Sequence, residues 1–189
     1  MQRDTRESFQ VLRAQAGDRA AFEALLAGVQ APLHGFVTSV VGDRALADDV
    51  LQEVFVRIWR KLRWLREPAL FRPWAFRIAA RAAMRHARRE RRLRERWADD
   101  AALEHAPAPE PPERIDPALA ARLRESMAAV SPASRAVLDL HYLQELTLAE
   151  TAAVLGISAG TAKSRLAYGL RALRRALDAG PTSIERGTP

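Results

Sequence analysis

The chain of 189 residues carries a net charge of +7 and no cysteine, which excludes disulfides and thiolate metal sites. Its 48% hydrophobic content permits a buried core, and few aromatics (6%) with only nine glycines amid abundant alanine and leucine favour helix. The polar start Met1-Gln2-Arg3-Asp4 lacks a signal-peptide core and no apolar run of about eighteen residues is apparent, so a cytoplasmic protein without membrane insertion is expected.

Two helices are predicted between Phe9 and Val41. Gly17-Asp18 breaks the first, and Asp18 is placed to cap the second. Phe22, Leu25, Leu26 and Val29 form an apolar face, Pro32 marks a junction, and Leu33, Phe36, Val37 and Val40 continue the stripe. Gly42-Asp43 opens a third helix, in which Leu51, Val54, Phe55, Ile58 and Leu62 share one face. Asp49, Gln52, Glu53, Val56 and Arg60 fall mostly elsewhere. That second face suits either a docking surface for a large partner or a solvated surface, since acids in the first turn and bases in the last also match the helix dipole.

Pro68, Phe71, Pro73 and Trp74 mark a turn into a basic helix. Arg77, Arg81, Arg85 and Arg89 recur every four residues and form a slowly winding stripe. From Arg57 to Arg96, fifteen Arg or Lys stand against three Glu, a local net charge of +12 that leaves the rest of the chain at −5. Charge so concentrated points to a polyanion, nucleic acid first. Aromatics beside arginines offer planes for unpaired bases and charges for the backbone, although Trp74 and Phe76 are as well suited to a core.

From about Asp99 to Pro117, five prolines and several glutamates replace the helical pattern, which reads as a linker able to reach ~60 Å if extended. A second helical unit follows, with Leu119, Leu123, Met127 and Val130 on a first helix and Ser131-Pro132 as a cap and first-turn proline. Val137, Leu138, Leu140 and Leu143 are expected to pack on what comes next.

Thr147 to Glu150 has the S/T-x-x-E form of a capping box, Gly156 suits a left-handed helix end, and Ser158 can cap another helix. Helix, tight turn and longer helix, with the small Ala152 four residues before Gly156, form a helix-turn-helix signature. The second helix carries Lys163, Arg165, Arg171, Arg174 and Arg175, and Leu166, Leu170, Leu173 and Leu177 supply its apolar stripe. Thr161, Lys163, Ser164 and Arg165 stand near its start, where a recognition helix meets base edges. The fold class is therefore all-α: two small helical domains joined by a Pro-rich linker, with a helix-turn-helix in the second.

His34, His86, His105 and His141 lack metal-ligand spacing, and no phosphate loop, H-E-x-x-H or G-x-S-x-G occurs. Neither an enzyme nor a cofactor is expected.

These pieces resemble the extracytoplasmic-function (ECF) sigma factors of bacterial RNA polymerase. D-D-V-L-Q-E-V-F-V-R-I-W (48–59) is similar to their polymerase-docking helix in region 2, W-A-F-R-I-A-A-R-A-A-M-R-H-A-R-R (74–89) to the minus-ten reading and melting segment, and 130–166 to region 4. The resemblance implies a region 2 domain at 9–97, an acidic linker at 98–116, a region 4 domain at 117–178 and a tail at 179–189. It implies docking on core RNA polymerase through Asp48, Asp49, Gln52, Glu53, Val56 and Trp59. It implies minus-ten contacts from Phe71, Trp74, Arg77, Arg81, Arg85 and Arg88. Minus-thirty-five contacts would come from Thr161, Lys163, Ser164 and Arg165, with Arg171, Arg174 and Arg175 on phosphates. Promoter DNA and an anti-sigma factor are the further partners implied. The chain departs from the family pattern at Ala80, Arg81, Arg85, Thr151 and Tyr168-Gly169. Glycine within a long helix costs ~1 kcal/mol relative to alanine and implies close packing there; Tyr168 is open to a phosphate contact or a packing role. Two other readings use the same helix-turn-helix and charge: a free-standing transcriptional regulator, and a nonspecific nucleoid binder.

Overall fold

The expected breaks between helices are formed by specific caps. In the computed structural model, which describes the backbone of residues 2–97 and 117–178 and the side chains of 5–93, 122–123 and 125–178, helix α1 (Gln2–Gln15) ends before Gly17. Asp18 then caps α2 (Arg19–Val41) by accepting from the Ala21 N–H at 3.0 Å. Gly42 closes α2 in the left-handed conformation (φ 78°), its N–H donating to Thr38 O. Asp43 caps α3 (Arg44–Lys61) through the Leu46 N–H. Two short 3-10 turns (Leu62–Trp64 and Pro68–Leu70) lead into α4 (Phe71–Trp97). The expected linker and tail, and the side chain of Leu119, lie outside the described residues.

Pro32 lies inside α2 and not at a junction. Its ring has no N–H to offer the carbonyl four residues earlier, which is Gly28 O. Arg72 of α4 supplies the donor instead: Nη2 reaches Gly28 O at 3.1 Å, while Nε pairs with Glu7 of α1 at 2.9 Å. One guanidinium thus joins three helices where one of them lacks a backbone bond. By length and composition alone α2 is also apolar enough to cross a membrane. Its side chains from Phe22 to Val40 instead supply much of the buried core shared with α3 and α4.

The second unit contains α5 (Pro117–Ala128), α6 (Pro132–Leu138), a π turn (Asp139–Leu143), α7 (Leu148–Leu155) and α8 (Ala159–Asp178). Ser131 caps α6 through the Ser134 N–H, with Pro132 in the first turn. Val137, Leu138 and Leu140 are buried as expected, but Leu143 is 71% exposed. The π turn takes more residues per turn than an α-helix, so it rotates Leu143 out of the apolar stripe. Leu123 and Leu170 are also exposed. On α8 the closest packing centres on the small residues Ala162 and Gly169 instead. A β-carbon at Gly169 would stand 3.0 Å from Leu138 Cδ1 and 3.2 Å from Ser134 Cβ, so the glycine is where α8 meets α6. No strand occurs among the described residues.

Candidate nucleic-acid and polymerase interface

The helix-turn-helix is built by reciprocal caps. The Glu150 N–H donates to Thr147 Oγ1 at 3.2 Å, and the Thr147 N–H donates to Glu150 Oε2 at 2.8 Å. Those bonds, the hydroxyl contact first, hold the Glu150 carboxyl below its usual range. Gly156 (φ 66°) ends α7, and Ser158 Oγ accepts from the Thr161 N–H at 3.1 Å to start α8. Losing such a cap costs about 1 kcal/mol.

Along α8, Thr161, Ser164, Tyr168, Arg171 and Arg175 follow one another at three-and-four spacing and share a face, flanked by Lys163 and Arg174. Lys163, Ser164, Arg171, Arg174 and Arg175 are exposed; Thr161 and Arg165 are half-buried. Tyr168 stands within this face at 63% exposure, with the Arg171 guanidinium 4.6 Å over its ring. It is a surface residue and not a packing one.

On α3, Asp48, Asp49, Gln52, Val56 and Trp59 are all exposed and follow a single stripe. Val56 and Trp59 stay 45% and 56% exposed. Trp59 is braced edge-on by Phe22, ring centroids 4.6 Å apart. Asp48 Oδ1 lies 3.0 Å from His34 Nε2. Glu53 differs from the rest of the set. It is half-buried, Oε1 pairs with Arg57 and Arg85, and Oε2 lies 3.2 Å from His86. Burial pushes its carboxyl up, and the hydrogen bonds from His86 and Arg85 with the charge of Arg57 more than reverse this, so the net direction is down.

The expected minus-ten set divides. Arg81 and Arg88 are exposed on the surface of α4, Arg85 is held by Glu53, and Arg77 Nη2 donates to Ala153 O of α7 at 2.6 Å. Trp74 is half-buried. Phe71 is fully buried, and with it Phe76, so neither offers a face to a base. Phe36 of α2 packs edge-on against Phe76 at 5.6 Å, and Phe71 lies against Trp74 with ring centroids 6.2 Å apart. The exposed aromatic at this end is Trp64, 70% accessible in the turn between α3 and α4, with the Arg63 guanidinium 4.8 Å over its ring. Sequence reasoning missed it, although Trp64 falls outside the apolar period of α3 and just before Pro68.

An exposed basic helix-turn-helix and a bundle with an acidic and apolar stripe suit more than one kind of DNA-binding protein. Comparison with known proteins specifies which kind. The family model for Sigma-70 region 2 matches residues 25–93 and that for Sigma-70 region 4 matches 126–175. The chain is 33% identical over 167 residues to the RNA polymerase sigma factor CarQ of Myxococcus xanthus, covering 87% of this chain and 94% of that one. It is 33% identical over 166 residues to the ECF RNA polymerase sigma factor SigL of Mycobacterium tuberculosis, covering 87% and 93%. Among solved structures, CnrH in complex with the cytosolic domain of CnrY superposes with a TM-score of 0.66 at 26% identity, covering 93% of this chain and 99% of that one. The chain belongs to the ECF sigma factors of the sigma-70 family. As an alternative sigma factor it directs transcription initiation with RNA polymerase, and the family acts as a non-catalytic initiation factor.

Proposed function

We propose that the unit spanning 9–97 docks on core RNA polymerase through the α3 stripe of Asp48, Asp49, Gln52, Val56 and Trp59. Its α4 arginines, with Trp64 and Arg63 in the preceding turn, then hold the melted minus-ten strand. The unit spanning 117–178 reads the minus-thirty-five element in the major groove with Thr161, Lys163, Ser164 and Arg165, while Arg171, Arg174 and Arg175 hold phosphates. Unpaired bases stacking on an exposed indole gain ~1–3 kcal/mol each, which offsets part of the cost of melting. The observation that carries this assignment is the exposure of Val56 and Trp59 in line with two aspartates, which a DNA binder acting alone does not need. The protein works in the cytoplasm and is held by an anti-sigma factor until required.

The test is a promoter-binding and transcription assay with and without core polymerase. Weak duplex binding alone, with sequence-specific initiation once core enzyme is added, is the expected result. Tight binding of the isolated protein to an approximately palindromic site, with no response to polymerase, would make it a free-standing regulator.

A further inference from the structure

Tyr168 owes its exposure to the residue beside it. Gly169 is buried, and a β-carbon there would meet Leu138 Cδ1 at 3.0 Å and Ser134 Cβ at 3.2 Å. That close approach to α6 sets the rotation of α8 about its axis. Tyr168, turned ~100° from its neighbour, is carried out of the bundle and left 63% exposed. The glycine seats the helix, and the tyrosine stands outside between Ser164 and Arg171.

Side chains on a helix lean toward its N-terminus, so a long residue at i+3 lies over residue i. Arg171 does so: its guanidinium carbon is 4.6 Å from the centre of the Tyr168 ring. No acidic residue occurs in α8 before Asp178, so no carboxylate within a turn of this helix draws Arg171 away. A guanidinium stacked on a ring keeps its edge N–H groups open to an anion, and the stack restrains a long side chain that otherwise samples many rotamers. The position along the helix indicates which anion. Thr161 lies in the first turn of α8, and at 1.5 Å per residue Tyr168 is ~10 Å and Arg171 ~15 Å further along. The DNA major groove is ~12 Å wide and ~8.5 Å deep. For a helix whose first turn meets base edges, either dimension puts Tyr168 near the rim and Arg171 at the flanking phosphates.

We propose that Tyr168 is a positioning residue for DNA binding: its ring holds the Arg171 guanidinium in place for a phosphate beside the minus-thirty-five element. The ring carries this role, the hydroxyl does not, and no base is read. The proposal rests on the placement, above, of this face of α8 on promoter DNA.

The test uses the full chain with core polymerase on promoter duplexes, with affinity measured at several salt concentrations. Tyr168→Leu should weaken binding about two- to fivefold, the size of an exposed cation–π contact, and equally on preferred and scrambled minus-thirty-five sequences. Tyr168→Phe keeps the ring and should bind as the parent does. Arg171→Ala should lower the log–log salt slope by ~0.9, the value for one phosphate contact, and in its presence Tyr168→Leu should have no further effect. In the isolated protein, NMR should find the Arg171 Nε–H shielded by the ring, shifted downfield in Tyr168→Leu and unmoved in Tyr168→Phe. A loss in Tyr168→Phe equal to that in Tyr168→Leu would make the hydroxyl the contact and overturn the proposal. A loss confined to the preferred sequence, or one additive with Arg171→Ala, would overturn it too. If Tyr168→Leu loses helicity by circular dichroism, Tyr168→Gln takes its place in every comparison. Weaker binding by Arg171→Ala with none by Tyr168→Leu sinks the positioning role alone, whereas full affinity in Arg171→Ala removes this phosphate contact from the DNA surface and the proposal with it.

Discussion

Glu53 of α3 accepts from Arg85 of α4 at 2.5 Å, so a residue expected on the polymerase surface restrains one expected on DNA. The pair is partly exposed and therefore screened, and its contribution to stability is below ~1 kcal/mol. Because the Glu53 carboxyl sits below its ordinary value, that contribution is present above the unfolded-state pKa and lost as pH falls through the folded one. Glu53→Ala releases Arg85 toward phosphate. Single-stranded DNA should bind more tightly, with the log–log salt slope steeper by ~0.7, the value for one added phosphate contact. Fluorescence anisotropy at several salt concentrations checks this; an unchanged slope would remove Arg85 from the DNA surface.

Arg72 and Pro32 are predicted to be energetically coupled. Arg72→Ala strips Gly28 O of its donor and should cost about 1–2 kcal/mol. Pro32→Ala restores a helical N–H to that carbonyl, so in its presence the same arginine deletion should cost roughly 0.5–1 kcal/mol less. Urea unfolding of the two single variants, the double variant and the parent completes the cycle. Strict additivity would mean that Arg72 acts only through Glu7.

Asp139 supplies a pH dependence. Burial raises its carboxyl to about 6 from 3.8, against the opposing hydrogen bonds from Gln144 and Ser39. A folded value above the unfolded one means that the folded state holds the proton more tightly. The gain is complete below 3.8 and disappears as pH rises through about 6. The geometry agrees: Ser39 Oγ is 3.0 Å from Phe36 O and 3.1 Å from Asp139 Oδ2, and its single proton serves only one of them well. A neutral donor at position 139 satisfies both oxygens. Asp139→Asn should therefore stabilise the protein by about 1–2 kcal/mol at pH 7.5, with the gain fading by pH 4.5, as measured by urea unfolding at both values. Lower stability at both would show that the carboxylate itself is favoured there.

Gly169→Ala sets helix propensity against packing. The methyl group gains ~1 kcal/mol as a helix former, but it meets Ser134 Cβ and Leu138 Cδ1 at 3.2 and 3.0 Å. Overpacking of this kind costs about 1–3 kcal/mol, so a net loss of about 1 kcal/mol is expected in thermal or urea unfolding. A stabilised variant would show that α6 yields easily.

Arg165→Ala and Arg174→Ala should separate base reading from phosphate binding. Arg165 sits near the start of α8 beside Ser164, and Arg174 lies more than two turns further on. With polymerase present, Arg165→Ala should lose ~1–3 kcal/mol on the preferred minus-thirty-five sequence and little on scrambled DNA. Arg174→Ala should weaken both equally and lower the salt slope. Equal losses for Arg165→Ala on all sequences would reassign it to the backbone.

Local chemistry was legible from residue types alone. Asp18, Asp43, Ser131, Thr147 and Ser158 each cap the helix that follows them, and Gly156 ends α7 in the left-handed region, because those roles depend on a few neighbouring residues. The α3 stripe and the exposed face of α8 followed from helical period in the same way. Aromatic roles in α4 did not. Phe71 and Trp64 are both aromatic residues near one turn, and only the packed fold makes the first core and the second surface.

The sequence by itself determined where most helices begin, which faces are charged, and that a helix-turn-helix follows a basic bundle, since all of these arise from interactions within a turn or two of chain. Only the tertiary structure decided that Arg72 completes the helix Pro32 interrupts, that Glu53 restrains Arg85, and that Asp139 and Arg77 bind the two units together. Each of those bonds joins residues at least thirty positions apart. Their energies depend on burial and on which groups are left without partners, and both are properties of the packed molecule.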